Sequence, residues 1–193
     1  MLQHRRLVGL QRVTSASTTH GVVSRAPCPV ASVPESWRPP ERPFRRVTVA
    51  VHEPARADVT LRTAFALADE RHVCVRVAHA WCLARAYDPV IVDYDLINDM
   101  DRRFRAAIDP HLTEFRLQHP DVGVEIRELH EPLDRALVNA SEQSDLLVLG
   151  HRRARLPVGP QLGPATRRVL RATEVPVVLV ATGRPTTQPT RSR

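Results

Sequence analysis

Residues 45–181 are predicted to form one α/β domain, a three-layer sandwich of helices about a parallel sheet. Two observations carry the prediction. Short apolar runs alternate with segments of helical periodicity, and the runs are apolar without interruption, as strands buried on both faces must be. Length limits the answer: 193 residues hold one domain with a full core and some extra chain.

The elements follow in order. Val47-Thr48-Val49-Ala50-Val51 is the first strand. Asp58 is placed to cap the next helix, in which Leu61, Ala64, Phe65 and Ala68 recur at helical spacing. The second strand is 73–80, and Cys74 within it reads as core. A long polar segment leads to a helix over 92–118, with Leu96, Met100, Phe104, Ile108, Leu112 and Phe115 along one side. Residues 122–129 alternate in character, as a strand near an edge does. Pro132 suits the first turn of a helix whose buried stripe is Leu133, Ala136, Leu137 and Ala140. The fourth strand, 145–150, ends on Gly150. After a loop to Leu162 comes a helix over 164–172, then a last strand from Pro176 to Val180.

Composition excludes several functions. All 28 basic residues are arginine, which points to codon bias, since selection for phosphate contacts does not exclude lysine. Residues 44–182 carry as many acids as arginines; the net charge of +7 divides into +4 on residues 1–43 and +3 on 183–193. A nucleic-acid domain carries its charge on the folded face, so no nucleic-acid partner is expected. No stretch approaches the ~20 apolar residues of a membrane span. Arg5, Arg6 and Arg12 interrupt any signal-like apolar centre, and the expected location is the cytoplasm. Cys28, Cys74 and Cys82 have no metal-ligand spacing, and their odd number suits a reduced compartment.

Without lysine there is no Walker A lysine, Schiff base or Ser-Lys nucleophile. Gly-x-Gly-x-x-Gly, Gly-x-Ser-x-Gly and His-Glu-x-x-His are also missing. His79 reads as a satisfied core or rim histidine, and Asp93, Asp95, Asp99 and Asp101 as a solvated face at a helix start. No catalytic residue and no metal ligand is assigned.

A parallel sheet binds ligands beyond the carboxyl ends of its strands, where the strand order reverses. The candidates there are His52 and Glu53 after the first strand, Ala80 after the second, and residues 150–163 after the fourth. A helix opening after Gly163 would aim its amides at an anion.

Five pieces in order resemble the universal stress protein (UspA) family: residues 47–68, Val77-Ala78-His79-Ala80-Trp81, His130-Glu131-Pro132 with Leu137, residues 145–150, and the tail 163–180. The resemblance implies a Rossmann-type five-stranded sheet of order 3-2-1-4-5, dimers or tandem domains paired through Pro176 to Val180, and ATP binding in one subset. The family's ATP motif is Gly, two residues, Gly, nine residues, then Gly followed by Ser or Thr. Gly150 and Gly163 match its first and third glycines, whereas Arg153 stands at the second and Pro164 at the hydroxyl position, with Ala165 next in the helix. His52 replaces the family's nucleoside-binding Asp, and Ala80 is the small residue facing the base. What the resemblance implies is a non-enzymatic regulatory module of the stress response with a degenerate nucleotide site, in which ATP binds weakly or not at all. The alternative is an ATP- or AMP-binding protein with at most slow ATP turnover.

The chain also repeats itself. Shifted by 147 positions without gaps, residues 2–33 lie on 149–180. His4-Arg5-Arg6 falls on His151-Arg152-Arg153, Thr19 on Thr166, Val22 on Val169, and Pro29-Val30 on Pro176-Val177. Residues 1–34 are therefore expected to be the remnant of a preceding domain's last helix and strand, 35–43 a Pro-rich linker, 44–182 the domain proper, and 183–193 a disordered basic tail. Residues 17–24 should be helical and Pro29 to Val33 extended, poorly packed unless they find a sheet edge.

Overall fold

Apolar β-branched runs form the sheet because they fill a surface covered from both sides. The computed structural model describes residues 2–4, 21–23, 26–82, 94–152 and 162–182. Its strands are β1 (Leu2–His4), β2 (Val30–Pro34), β3 (Arg46–Ala50), β4 (Cys74–Ala80), β5 (Val124–Leu129), β6 (Leu146–Arg152) and β7 (Val177–Thr182). The helices are α1 (Asp58–Asp69), α2 (Tyr94–Gln118), α3 (Leu133–Glu142) and α4 (Pro164–Ala172), with a 3-10 turn at Pro54–Arg56.

The sheet runs β1-β2-β7-β6-β3-β4-β5. This corrects the five-stranded expectation. From Arg46 to Thr182 the strands lie β5-β4-β3-β6-β7, and β2 then β1 extend them beyond β7. Every neighbouring pair is parallel except β2 with β7. β7 is not an edge strand, because it lies between β6 and β2. An apolar edge leaves a row of unpaired N–H and C=O groups, and Val30 and Val33, both buried, bring a second apolar strand to satisfy them. Residues 21–23 are helical, and Val23 is only 1% exposed.

One face of the sheet presents Val47, Val49, Val75, Val77 and Val148 to Leu61 and Phe65 of α1 and to Ile108, Leu112 and Phe115 of α2. Phe65 and Phe115 stack with centroids 5.0 Å apart. Burying each such side chain contributes roughly 1.5–3 kcal/mol, so this face holds most of the apolar stabilisation. The other face presents Leu147, Leu149, Val177 and Leu179 to Leu137 of α3, Val169 and Leu170 of α4, and Val23.

Several local expectations need correcting. Asp58 makes no cap bond; Ala57 is the N-cap residue, and the Asp58 carboxylate takes the His111 ring at 2.6 Å. Leu96 and Met100 are exposed, so the buried stripe of α2 begins only at Phe104. Pro132 precedes α3 as its N-cap residue, and Leu133 is 39% exposed. Cys74 is half-buried at the start of β4. β6 does not stop at Gly150 but runs on to Arg152, because its register with β7 continues through Arg152↔Thr182.

Candidate functional site

β3 and β6 are adjacent, yet the chain leaves them in opposite directions: β3 leads to β4 and β6 leads to β7. Their carboxyl ends therefore open a cleft at the switch point. It is a cavity of about 210 Å³. Ala50, Ala78, Leu137 and Leu149 give its apolar lining; His52, Glu53, Arg56, Thr60, Arg152, Thr166 and Thr182 give its polar one. Sites for drug-sized ligands usually measure ~300–1,000 Å³, so this cavity suits a smaller group.

Gly150 keeps the cavity open. A Cβ there would lie 2.9 Å from Thr182 Cγ2 and 3.0 Å from Thr60 Oγ1. A side chain at this position would press on two neighbouring threonines, whatever the ligand. Gly163 differs. It is the N-cap residue of α4 at φ −60°, ψ 160°, extended backbone that any residue adopts, and a Cβ there would meet nothing within 4 Å. Pro164 follows at the first helical position and has no N–H. The amides of Ala165 and Thr166 come next, in the turn whose N–H groups have no intrahelical acceptor.

The charges at the cavity are already paired. Glu53 meets Arg56 Nε at 2.9 Å and Arg152 Nη2 at 3.0 Å. One carboxylate therefore engages both arginines of the lining. His52 is exposed beside it, at the end of β3.

Behind His52 the backbone is held from β4. Val51 N–H donates to the Ala78 carbonyl at 2.9 Å. His79 Nδ1–H donates to the Val51 carbonyl at 2.9 Å, which fixes that tautomer because a carbonyl only accepts. The His79 ring stacks on Phe104 with centroids 3.8 Å apart. Burial lowers the His79 pKa, nearby His52 adds to that, and the Val51 bond opposes it. His79 is a satisfied rim histidine, as expected.

Of the sequence candidates, the cavity gathers His52, Gly150 and Ala165. Ala80 is buried and does not line it; Ala78, two residues earlier on the same face of β4, does. Gly163 is outside the lining, and Pro164 borders a separate surface depression with Arg167, Arg168 and Arg171. Arg153 lies outside the described residues. Sequence reasoning missed Arg56, Thr60 and Thr182. Arg56 and Thr60 had only their place as a signal: they follow β3 directly, in the 3-10 turn and in the first turn of α1. Thr182 had none, since only the β6–β7 register brings it to Gly150. Asp101 is not a solvated acid: it accepts Trp81 Nε1–H at 3.1 Å and His130 Nε2–H at 3.1 Å. Among the described residues no cluster of His, Cys, Asp and Glu could hold a metal ion, and no helix is long and apolar enough to cross a membrane.

Comparison with known proteins places this geometry among relatives. Residues 43–181 match the model of the universal stress protein family. Universal stress protein Rv2005c of Mycobacterium tuberculosis is 27% identical over 172 residues, covering 88% of this chain and 57% of the relative. The chain thus spans little more than half the length of that protein. A universal stress protein of Archaeoglobus fulgidus DSM 4304 has a similar fold, with a TM-score of 0.61 at 18% identity over 94% of this chain and 60% of that one. A second structure, of a universal stress protein from Archaeoglobus fulgidus, gives 0.51 at 25% identity over 70% of this chain and 98% of that one.

Proposed function

The chain belongs to the universal stress protein family, and we propose that it acts within it as a non-enzymatic regulatory module of the stress response, in the cytoplasm, with a degenerate nucleotide site. The observation that carries this reading is Glu53, whose carboxylate holds Arg56 and Arg152, the two guanidinium groups of the cavity. A phosphate has to displace a carboxylate before it can use either arginine in a two-bond clamp. Three further features point the same way. His52 stands where a nucleoside-binding carboxylate is implied, and an imidazole supplies no carboxylate acceptor. Pro164 lacks both an amide N–H and a hydroxyl. Arg153, at the position of a motif glycine, carries a Cβ and a long side chain.

The alternative, an ATP- or AMP-binding protein with slow turnover, is favoured by one observation. The cavity is at the switch point, with an apolar lining and the first-turn amides of α4 beside three threonines. Residues 44–182 are the domain that either reading requires. Titration with AMP separates the two. Glu53→Gln frees Arg56 and Arg152 and is expected to tighten AMP several-fold from a weak starting value. Tight AMP binding by the unmodified chain, lost in Glu53→Gln, would favour the alternative.

A further inference from the structure

Helix α4 differs from α1, α2 and α3 in its charge. Each of those carries both acids and arginines, whereas α4, Pro-Ala-Thr-Arg-Arg-Val-Leu-Arg-Ala, has three arginines and no acid. Exposed arginines of α2 and β5 meet nearby acids, Arg103 reaching Asp99 at 2.7 Å and Arg127 reaching Glu125 at 2.6 Å. On α4, Arg168 meets Asp134 of α3 at 3.0 Å. Neither Arg167 nor Arg171 has a carboxylate partner among the described residues.

Val169 and Leu170 turn into the core, which leaves Arg167, Arg168 and Arg171 on the outer side of the helix. With Pro164 and Ala172 they line an open depression of about 550 Å³, and no acid lines it. None of the three arginines lines the cavity between β3 and β6. Like charges three and four residues apart weaken a helix. Arg171 suits the last turn, where the helix dipole favours a cation, and Arg168 has Asp134; Arg167 has neither. The stability of α4 does not account for this cluster.

We infer that the outer face of α4 is a docking surface for an acidic, extended segment of a partner protein. Guanidinium groups hold carboxylates in paired hydrogen bonds. Arg167 and Arg171 are four residues apart, ~6 Å along the helix axis. Alternate residues of an extended chain stand ~6.6 Å apart on one side, so the carboxylates of a Glu-x-Glu pattern meet both. A partner helix fits less well, because the depression offers only Pro164 and Ala172 for apolar packing. The same shortage argues against a membrane, whose interfacial helices insert Trp, Phe or Leu. Three arginines, on a domain with as many acids as arginines, fall short of the basic surface a nucleic acid needs. A contact made of charge without an apolar anchor forms fast, is weak and fades with salt. It suits a transient encounter, and it does not depend on what the cavity binds.

The test uses the full chain and a short fluorescent peptide that alternates glutamate with serine. The peptide should bind weakly, with an affinity that falls as salt rises. Arg167→Gln/Arg171→Gln should weaken it by roughly five- to thirtyfold, the loss of two exposed ion pairs, with a thermal midpoint close to that of the unmodified chain. Arg184→Gln/Arg191→Gln/Arg193→Gln, at the basic C-terminus, should weaken it less than the helix variant does. No effect of the helix variant, a larger effect of the C-terminal one, or equal binding of a peptide that alternates glutamine with serine would overturn the inference. So would tighter binding, through the same helix arginines, of a single-stranded RNA oligonucleotide or of phosphatidylserine vesicles.

Discussion

The two ends of the central strands carry ionisable groups in different circumstances. At the amino end, Asp145 is buried, its Oδ2 accepting the N–H groups of Arg45 at 2.8 Å and Arg46 at 3.0 Å while Oδ1 meets Arg42 at 2.7 Å. Arg76, 5% exposed, pairs with Glu125 at 3.0 Å and Gln143 at 3.2 Å, and Thr48 shares a hydrogen with Ser144. At the carboxyl end, Glu53, Arg56 and Arg152 pair at the mouth of a cavity, with side chains 35–73% exposed. The first set locks β3 to β6 and β4 to β5. The second rearranges cheaply, since exposed ion pairs are worth at most ~1 kcal/mol. Charge pairing alone therefore does not distinguish structure from binding; burial does.

Breaking the locked end should have the largest effect. Asp145→Ala leaves two backbone donors and a guanidinium without their acceptor, at roughly 1–3 kcal/mol for each buried group left unsatisfied. A loss of about 2–4 kcal/mol in urea denaturation is expected, and a loss under 1 kcal/mol would show that water replaces the carboxylate. Gly150→Val, at the cavity end, should cost about 1–3 kcal/mol through overpacking against Thr60 and Thr182. No loss would mean that both threonines turn aside.

Acid sharpens the same contrast. Burial works to raise the Asp145 pKa, but the bonds from Arg45, Arg42 and Arg46 together hold it below the usual value. Its stabilisation is complete above the ordinary carboxyl pKa of ~3.9 and is lost as pH falls through the lower folded value. His79, lowered chiefly by burial, contributes stability that is complete above ~6.5 and is lost as pH falls through its own folded value. Stability measured against pH should therefore decline in two steps. His79→Gln should remove the upper step and leave the lower one, and an unchanged upper step would assign it to another group.

The sequence made the layers legible because burial on both sides leaves runs such as Leu146-Leu147-Val148-Leu149 that nothing else explains. The start of helix α4 was legible at Pro164, since proline is favoured at the first helical position. Asp58 was misjudged for a physical reason: its partner, His111, lies 53 residues away and competes with the local cap. The pairing of β2 with β7 left no local trace either, because the repeat is visible in one dimension while its pairing exists only in three. At the cavity, the identities of His52, Gly150 and Pro164 could be read, but Glu53's hold on Arg152 spans 99 residues and leaves no local trace.

Weak ATP binding at this cavity is the expectation of the proposed function, and calorimetric titration with ATP at fixed salt tests it most directly. Two or three lost hydrogen bonds at ~1–1.5 kcal/mol each weaken binding by about two to three powers of ten. The unmodified chain is expected to bind ATP by that factor more weakly than His52→Asp/Arg153→Gly/Pro164→Ser, which restores a carboxylate, a close approach and a helix-start hydroxyl. Low-micromolar ATP binding by the unmodified chain, with no gain in the triple variant, would contradict a degenerate site.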